Sequence, residues 1–128
     1  MMEKKRILLI EDDIEFQNYI VPLLEEKGCT VVACNDGASA LQKIKEGPFN
    51  LIVLDLVLPD VDGFEFLRML KRDQTTSVTP IVILTNLGQR DERNRAKKLG
   101  VTEYLVKSDS TPRQVIDEIM KYCDETTC

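Results

Sequence analysis

Histidine and tryptophan are absent from the 128 residues, and cysteine occurs four times. Without histidine the commonest general base and the usual nitrogen ligand for zinc are gone, so any chemistry must come from carboxylates, lysine, hydroxyls or a bound metal. Cysteines 29, 34, 123 and 128 form two pairs with four residues between partners, loosely the spacing of a zinc site, but no histidine can complete one. Cys29 and Cys34 flank a predicted strand and should point to opposite faces, so reduced thiols are expected instead. No apolar run approaches the ~18 residues of a membrane span. The basic opening Met1 to Arg6 is followed by only four apolar residues and then by acids, unlike a secretory signal, so a cytoplasmic chain is expected, with no membrane association. A basic excess is also missing: net charge is -5 and the pI is near 4.8, which argues against direct nucleic-acid binding.

What is present is a regular alternation. Short apolar runs at 7–10, 31–33, 51–54, 81–84 and 104–106 are separated by stretches of helical period at 14–27, 38–45, 63–72, 90–99 and 112–123. Strands that alternate with helices need crossover connections, which makes the sheet parallel with helices on both faces, and near-continuous apolar strands fit burial on both sides. The reading is one α/β domain over 1–128, core about 5–123, with a doubly wound five-stranded parallel sheet. Gly28, Asn35-Asp36-Gly37 and Gly47-Pro48 mark helix ends and turns, and Thr111, Pro112 and Gln114 read as a capping box opening the last helix. Pro22 stands inside the first helix, where it is expected to produce a kink at up to about 3 kcal/mol. The tail from Asp124 onward is expected to fray.

In open parallel sheets ligands bind at the carboxyl ends of the strands. Here four of the five strands deliver a polar or charged group to that rim: Glu11-Asp12-Asp13, Asp55, Thr85 and Lys107. Taken singly, each has an ordinary structural explanation, and Asp13 reads as the cap of the first helix. Asp55 is different because it interrupts the apolar run from Leu51 to Leu58, where a lone buried carboxylate is costly without a cation or hydrogen bonds. Clustered carboxylates repel by about 1 to 4 kcal/mol per pair, which favours a divalent cation, and an all-oxygen donor set points to Mg²⁺ or Mn²⁺. A metal, an ammonium and a hydroxyl around one carboxylate suit phosphoryl transfer, with Asp55 as nucleophile.

The motifs Ile7-Leu8-Leu9-Ile10-Glu11-Asp12-Asp13, Leu54-Asp55-Leu56 followed by Leu58-Pro59-Asp60-Val61-Asp62-Gly63, Leu84-Thr85, and Tyr104-Leu105-Val106-Lys107 resemble those of response regulator receiver domains over nearly the whole chain. The resemblance implies a flavodoxin-like (βα)₅ fold with strand order 2-1-3-4-5. It implies Asp55 as phosphoacceptor, and Mg²⁺ held by Asp12, Asp55, the Val57 backbone carbonyl and, through water, Glu11. Thr85 and Lys107 would bind phosphoryl oxygens, and Tyr104 would be a switch aromatic that turns inward as Thr85 moves. The implied partner is a histidine kinase or histidine phosphotransfer protein. The chain would catalyse its own phosphorylation and a slow autodephosphorylation, and the face of 90–99, 103–106 and 112–123 would switch partner binding or homodimerisation.

Four positions depart from the family pattern. Asn86 replaces a small residue, Ser108 replaces a proline often preceded by a cis bond, and Val57 and Leu87 are aliphatic where some relatives carry polar side chains, which suggests slow hydrolysis. The alternative reading is a degenerate receiver that acts as a phosphorylation-independent interaction module. A flavodoxin-like electron carrier would need a Ser/Thr/Gly-rich first loop rather than three acids. An aspartyl-nucleophile phosphatase would want a second acid where Val57 stands.

Overall fold

The structure, a computed structural model, describes residues 4–125. Five strands, β1 (Lys5–Ile10), β2 (Cys29–Cys34), β3 (Leu51–Leu54), β4 (Ile81–Thr85) and β5 (Glu103–Val106), alternate with α1 (Ile14–Glu26), α2 (Gly37–Ile44), α3 (Gly63–Arg72), α4 (Arg90–Lys98) and α5 (Pro112–Glu125). All strand pairs are parallel, in the order β2-β1-β3-β4-β5. The expected fold and strand order hold.

Alternation along the strands divides the core into two layers. Leu8, Ile10, Ile52, Leu54, Ile81 and Ile83 face one way, against Phe64, Leu67 and Leu70 of α3, Ala40 of α2 and Ala96 of α4. Ile7, Leu9, Leu51, Val53, Val82 and Leu84 face the other way, against Ile20 and Leu24 of α1 and Val115, Ile116 and Ile119 of α5. Both faces of the central strands are thus dry, which is why their sequences lack a polar alternation. Cys29 and Cys34 fall in opposite layers, as expected, and burial pushes the Cys34 thiol up to about 12.

The element ends follow local chemistry. The Asp13 carboxylate accepts from the Phe16 amide (3.1 Å), and Thr111 and Gln114 form a reciprocal capping box, with Thr111 N–H donating to Gln114 (2.8 Å) and Gln114 N–H donating to Thr111 (3.2 Å). Gly28 and Gly100 close α1 and α4 at φ of +92° and +89°, where a side chain would be strained. α1 continues through Pro22 to Glu26; Pro22 and Asn18, whose carbonyl loses its helical partner to the proline, are both exposed, on the side of the helix open to solvent. The expected fraying from Asp124 is corrected at its start: α5 extends to Glu125, anchored by its cap and by buried Val115, Ile119 and Cys123, while 126–128 lie outside the described residues. Among the described residues the one cis peptide is Gly47-Pro48, so the Lys107-Ser108 bond is trans and Lys107 opens a short 3₁₀ turn, Lys107–Asp109.

Candidate functional site

The carboxyl edge of the sheet assembles the predicted residues. β1 runs out into Glu11, whose amide donates to the Cys34 carbonyl of β2 (2.9 Å), and β3 runs out into Asp55, whose amide donates to the Ile10 carbonyl (2.9 Å). These ladder bonds extend the sheet one residue past its strands and bring two acids side by side. Glu11 is 1% exposed and Asp55 4%, whereas Asp12 points to solvent. Ligand oxygens of Glu11, Asp12 and Asp55 lie within 4.8 Å of one another, a group able to hold a metal ion.

Lys107 balances the two buried acids. Its ammonium lies 2.5 Å from Glu11 Oε1 and donates to Asp55 Oδ2 at 2.9 Å, and it sits over the Phe16 ring at 4.9 Å from the centroid. The second Asp55 oxygen accepts from the Val57 amide (3.0 Å), and Glu11 Oε2 accepts from the Asp13 amide (3.0 Å). Glu11 Oε1 is buried and has the Lys107 ammonium as its ion-pair partner. Burial raises the Glu11 carboxyl to about 7, against the lowering pull of Lys107 and the Asp13 amide and with help from the Asp55 charge. Burial alone would depress Lys107, but its bonds to Glu11 and Asp55 outweigh it and hold the ammonium above its usual value. One cation serves two buried acids, and the cluster stays short of positive charge. That deficit, with a donor set of hard carboxylate oxygens, fits a metal ion at this edge.

Thr85 ends β4 fully buried, and its hydroxyl accepts from the Leu87 amide at 3.4 Å. Tyr104 on β5 is 2% exposed, and its hydroxyl donates to the Leu87 carbonyl. The tyrosine therefore points inward in this structure, flanked on its outer side by the Arg93 guanidinium, 5.3 Å from the ring centroid. Thr85 and Tyr104 hold the two polar ends of one residue. Val57, expected to offer its carbonyl, is 48% exposed and pairs with Asp62 in an isolated antiparallel bridge. The Asp62 carboxylate caps α3 by accepting from Phe64 and Glu65 (2.8 and 3.3 Å). Asn86 is exposed, beyond the rim.

Sequence reasoning did not find Phe16 under Lys107, since its place on the inner stripe of α1 reads as core. It also missed the individual role of Asp60, whose spacing from Asp55 says nothing about a helix near in space but distant in sequence.

A doubly wound α/β protein with a candidate cation site at the carboxyl edge of its sheet is what fold and rim define. Known proteins narrow this further. The family model described as response regulator receiver domain matches residues 7–119. The phosphate regulon transcriptional regulatory protein PhoB of Escherichia coli is 33% identical over 115 residues, covering 90% of this chain and 50% of PhoB. A CheY-like receiver domain protein from Methanospirillum hungatei superposes with a TM-score of 0.85 at 26% identity, covering 96% of each chain. The Mn²⁺-bound form of response regulator Rcp1 superposes at 0.79 with 27% identity, covering 91% of this chain and 90% of that one. The chain belongs to the response regulator receiver domain family of two-component signalling, and it spans about half the length of the curated relatives it matches.

Proposed function

We propose that the chain is a phosphoaccepting receiver in which Asp55 takes a phosphoryl group from a phosphohistidine on a histidine kinase or histidine phosphotransfer protein. The observation that carries this reading is Asp55 itself: a buried carboxylate at a strand end, one oxygen on Lys107 and the other on the Val57 amide, inside a three-acid cluster able to hold a metal. Mg²⁺ would be held by Asp12, Asp55 and the Val57 carbonyl, with Glu11 acting through water. The similarity to response regulator Rcp1, described in a Mn²⁺-bound form, supports a divalent cation. Bound there, the metal would supply positive charge for the equatorial oxygens of the transferred group.

The chain's own residues do the rest. An Asp55 carboxylate oxygen forms the bond to phosphorus while the phosphorus–nitrogen bond to the donor imidazole breaks, its electron pair staying on the imidazole nitrogen. Lys107, already on Asp55, follows the new charge onto a phosphoryl oxygen, and the Thr85 hydroxyl turns from accepting the Leu87 amide to donating to another. Leu87 then loses its contact with Thr85 while keeping the Tyr104 hydroxyl on its carbonyl, so the β4–α4 turn and the face of α4, β5 and α5 respond together. That face is divided in charge: α4 carries five basic and two acidic side chains, and Glu103, Asp109, Asp117 and Glu118 line a neighbouring groove, an arrangement suited to a partner or a second copy. Aliphatic Val57 and Leu87 offer no polar side chain to orient a hydrolytic water, in keeping with slow autodephosphorylation.

Incubation with Mg²⁺ and a small-molecule acyl phosphate, read by intact mass, should add one phosphoryl group that is acid-stable and base-labile. The addition should vanish in Asp55→Asn, with the fold retained. No mass gain by the wild-type chain would favour the phosphorylation-independent interaction module.

A further inference from the structure

The loop that follows the phosphoacceptor is seated on a helix that contributes no residue to the site. The Val57–Asp62 bridge closes residues 58–61 into a tip. There the two carboxylate oxygens of Asp60 accept from the amides of Gly37 (2.8 Å) and Ala38 (3.0 Å), the first two residues of α2. The next two amides belong to Asp36: its side chain accepts from Ser39 (2.7 Å) and its carbonyl from Ala40 (3.1 Å). Of the amides that this helix start leaves without a partner inside the helix, those of Gly37 and Ala38 are therefore filled by the tip of a different element and that of Ser39 by the Asp36 cap. Those two bonds hold the Asp60 carboxyl below its usual range.

Val61 completes the seat. A methyl group on Gly37 would lie 2.6 and 3.0 Å from the two Val61 γ-carbons and 3.3 Å from Asp60 Oδ1. Gly37 is not among the glycines with positive φ, so its lack of a side chain is required by space rather than by backbone conformation. Within the tip loop, the Val57 peptide is tied on its amide side by the Asp55 carboxylate, and on its carbonyl side it leads into the segment that Asp60 and Val61 anchor.

We infer that Asp60 and Val61 form a clamp that seats the tip on the start of α2 and so aims the Val57 carbonyl at the metal position, which makes Asp60 a positioning residue and couples α2 to metal affinity. This rests on the Mg²⁺ reading proposed above. Peptide oxygens are good metal ligands only when their direction is fixed, and the partners that fix ligands contribute strongly to affinity. α2 thereby becomes a second handle on the site, separate from the α4, β5 and α5 face.

The test is calorimetric titration of Mg²⁺ into the full chain. Gly37→Ala should weaken binding by about tenfold, the low end for outer partners of metal ligands. It alters no charge, and alanine at a helix start is at least as favourable as glycine, so helix propensity alone predicts no loss. Adding Val61→Ala removes the crowded γ-carbons and should restore the wild-type affinity. Equal binding by wild type and Gly37→Ala, or no recovery in the double variant, overturns the clamp. If Gly37→Ala does not fold, Asp60→Ala carries the test at high salt, where the through-space effect of its exposed charge is screened: the same loss supports the clamp and unchanged affinity overturns it. Failure of the wild-type chain to bind Mg²⁺ at all overturns the metal reading itself, and the clamp with it.

Discussion

Glu11 and Lys107 illustrate how much one residue's surroundings decide. Burial penalises the charge of Glu11 and pushes its carboxyl up to about 7, from an ordinary value of 4.5. A carboxyl raised in this way is protonated in the folded chain and ionised in the unfolded one between those values, so the Glu11 contribution to metal-free stability is fully present below about 4.5. It should fall as pH rises from about 4.5 through about 7. In chelator-treated protein, Glu11→Gln should therefore gain on the order of 1 kcal/mol over wild type at pH 8 and little at pH 5, read from urea midpoints. A constant difference across that range would mean that the Glu11 charge is not the cause. The acids, the threonine and the lysine were legible in the sequence because each ends an apolar run. The 2.5 Å approach of Lys107 to Glu11 and the Phe16 ring beneath it were not, because they depend on how β1, β5 and α1 meet in space.

At the scale of elements, the glycine of the Asp62-Gly63 pair is the most crowded of the six glycines. A methyl group at Gly63 would fall 2.1 Å from the Leu56 carbonyl oxygen, against backbone that cannot swing aside. Gly63→Ala should lower stability by at least about 2 kcal/mol in urea unfolding and disturb Asp55, one residue from Leu56. The mildest prediction concerns α4, where Ala96 is the one buried residue, in contrast to the five buried along α3. Its amides should exchange with deuterium well before those of α3, and equal protection would show that α4 is held by more than its packing. Element types and most boundaries were legible from periodicity: β3 and α3 match residue for residue, and the others differ by one or two positions. β1 and β2 were read short because Lys5, Arg6, Thr30 and Cys34 extend the strands with residues that carry little apolar signal. α5 was read two residues short because Asp124 and Glu125 are polar and follow the end of the apolar stripe at Cys123.

For the molecule as a whole, the fold separates the place where charge is gathered from the faces where it can be felt. Tyr104 points inward here, and on the phosphoaccepting reading phosphorylation would favour such an arrangement by shifting a population rather than creating a new state. Thr85→Ala should still accept a phosphoryl group, more slowly, while beryllofluoride produces no chemical-shift response at Leu87, Tyr104 or α4. A full response in that variant would rule out Thr85 as the link. Leu87 gives this arrangement a temporal signature. Its amide is held by Thr85 and its carbonyl by Tyr104, so only the two backbone torsions of one residue stand between the two bonds. With a single residue between threonine and tyrosine, the relay is short: after a sudden change in phosphoryl occupancy, signals from the two should relax with one shared time constant, without a lag between them.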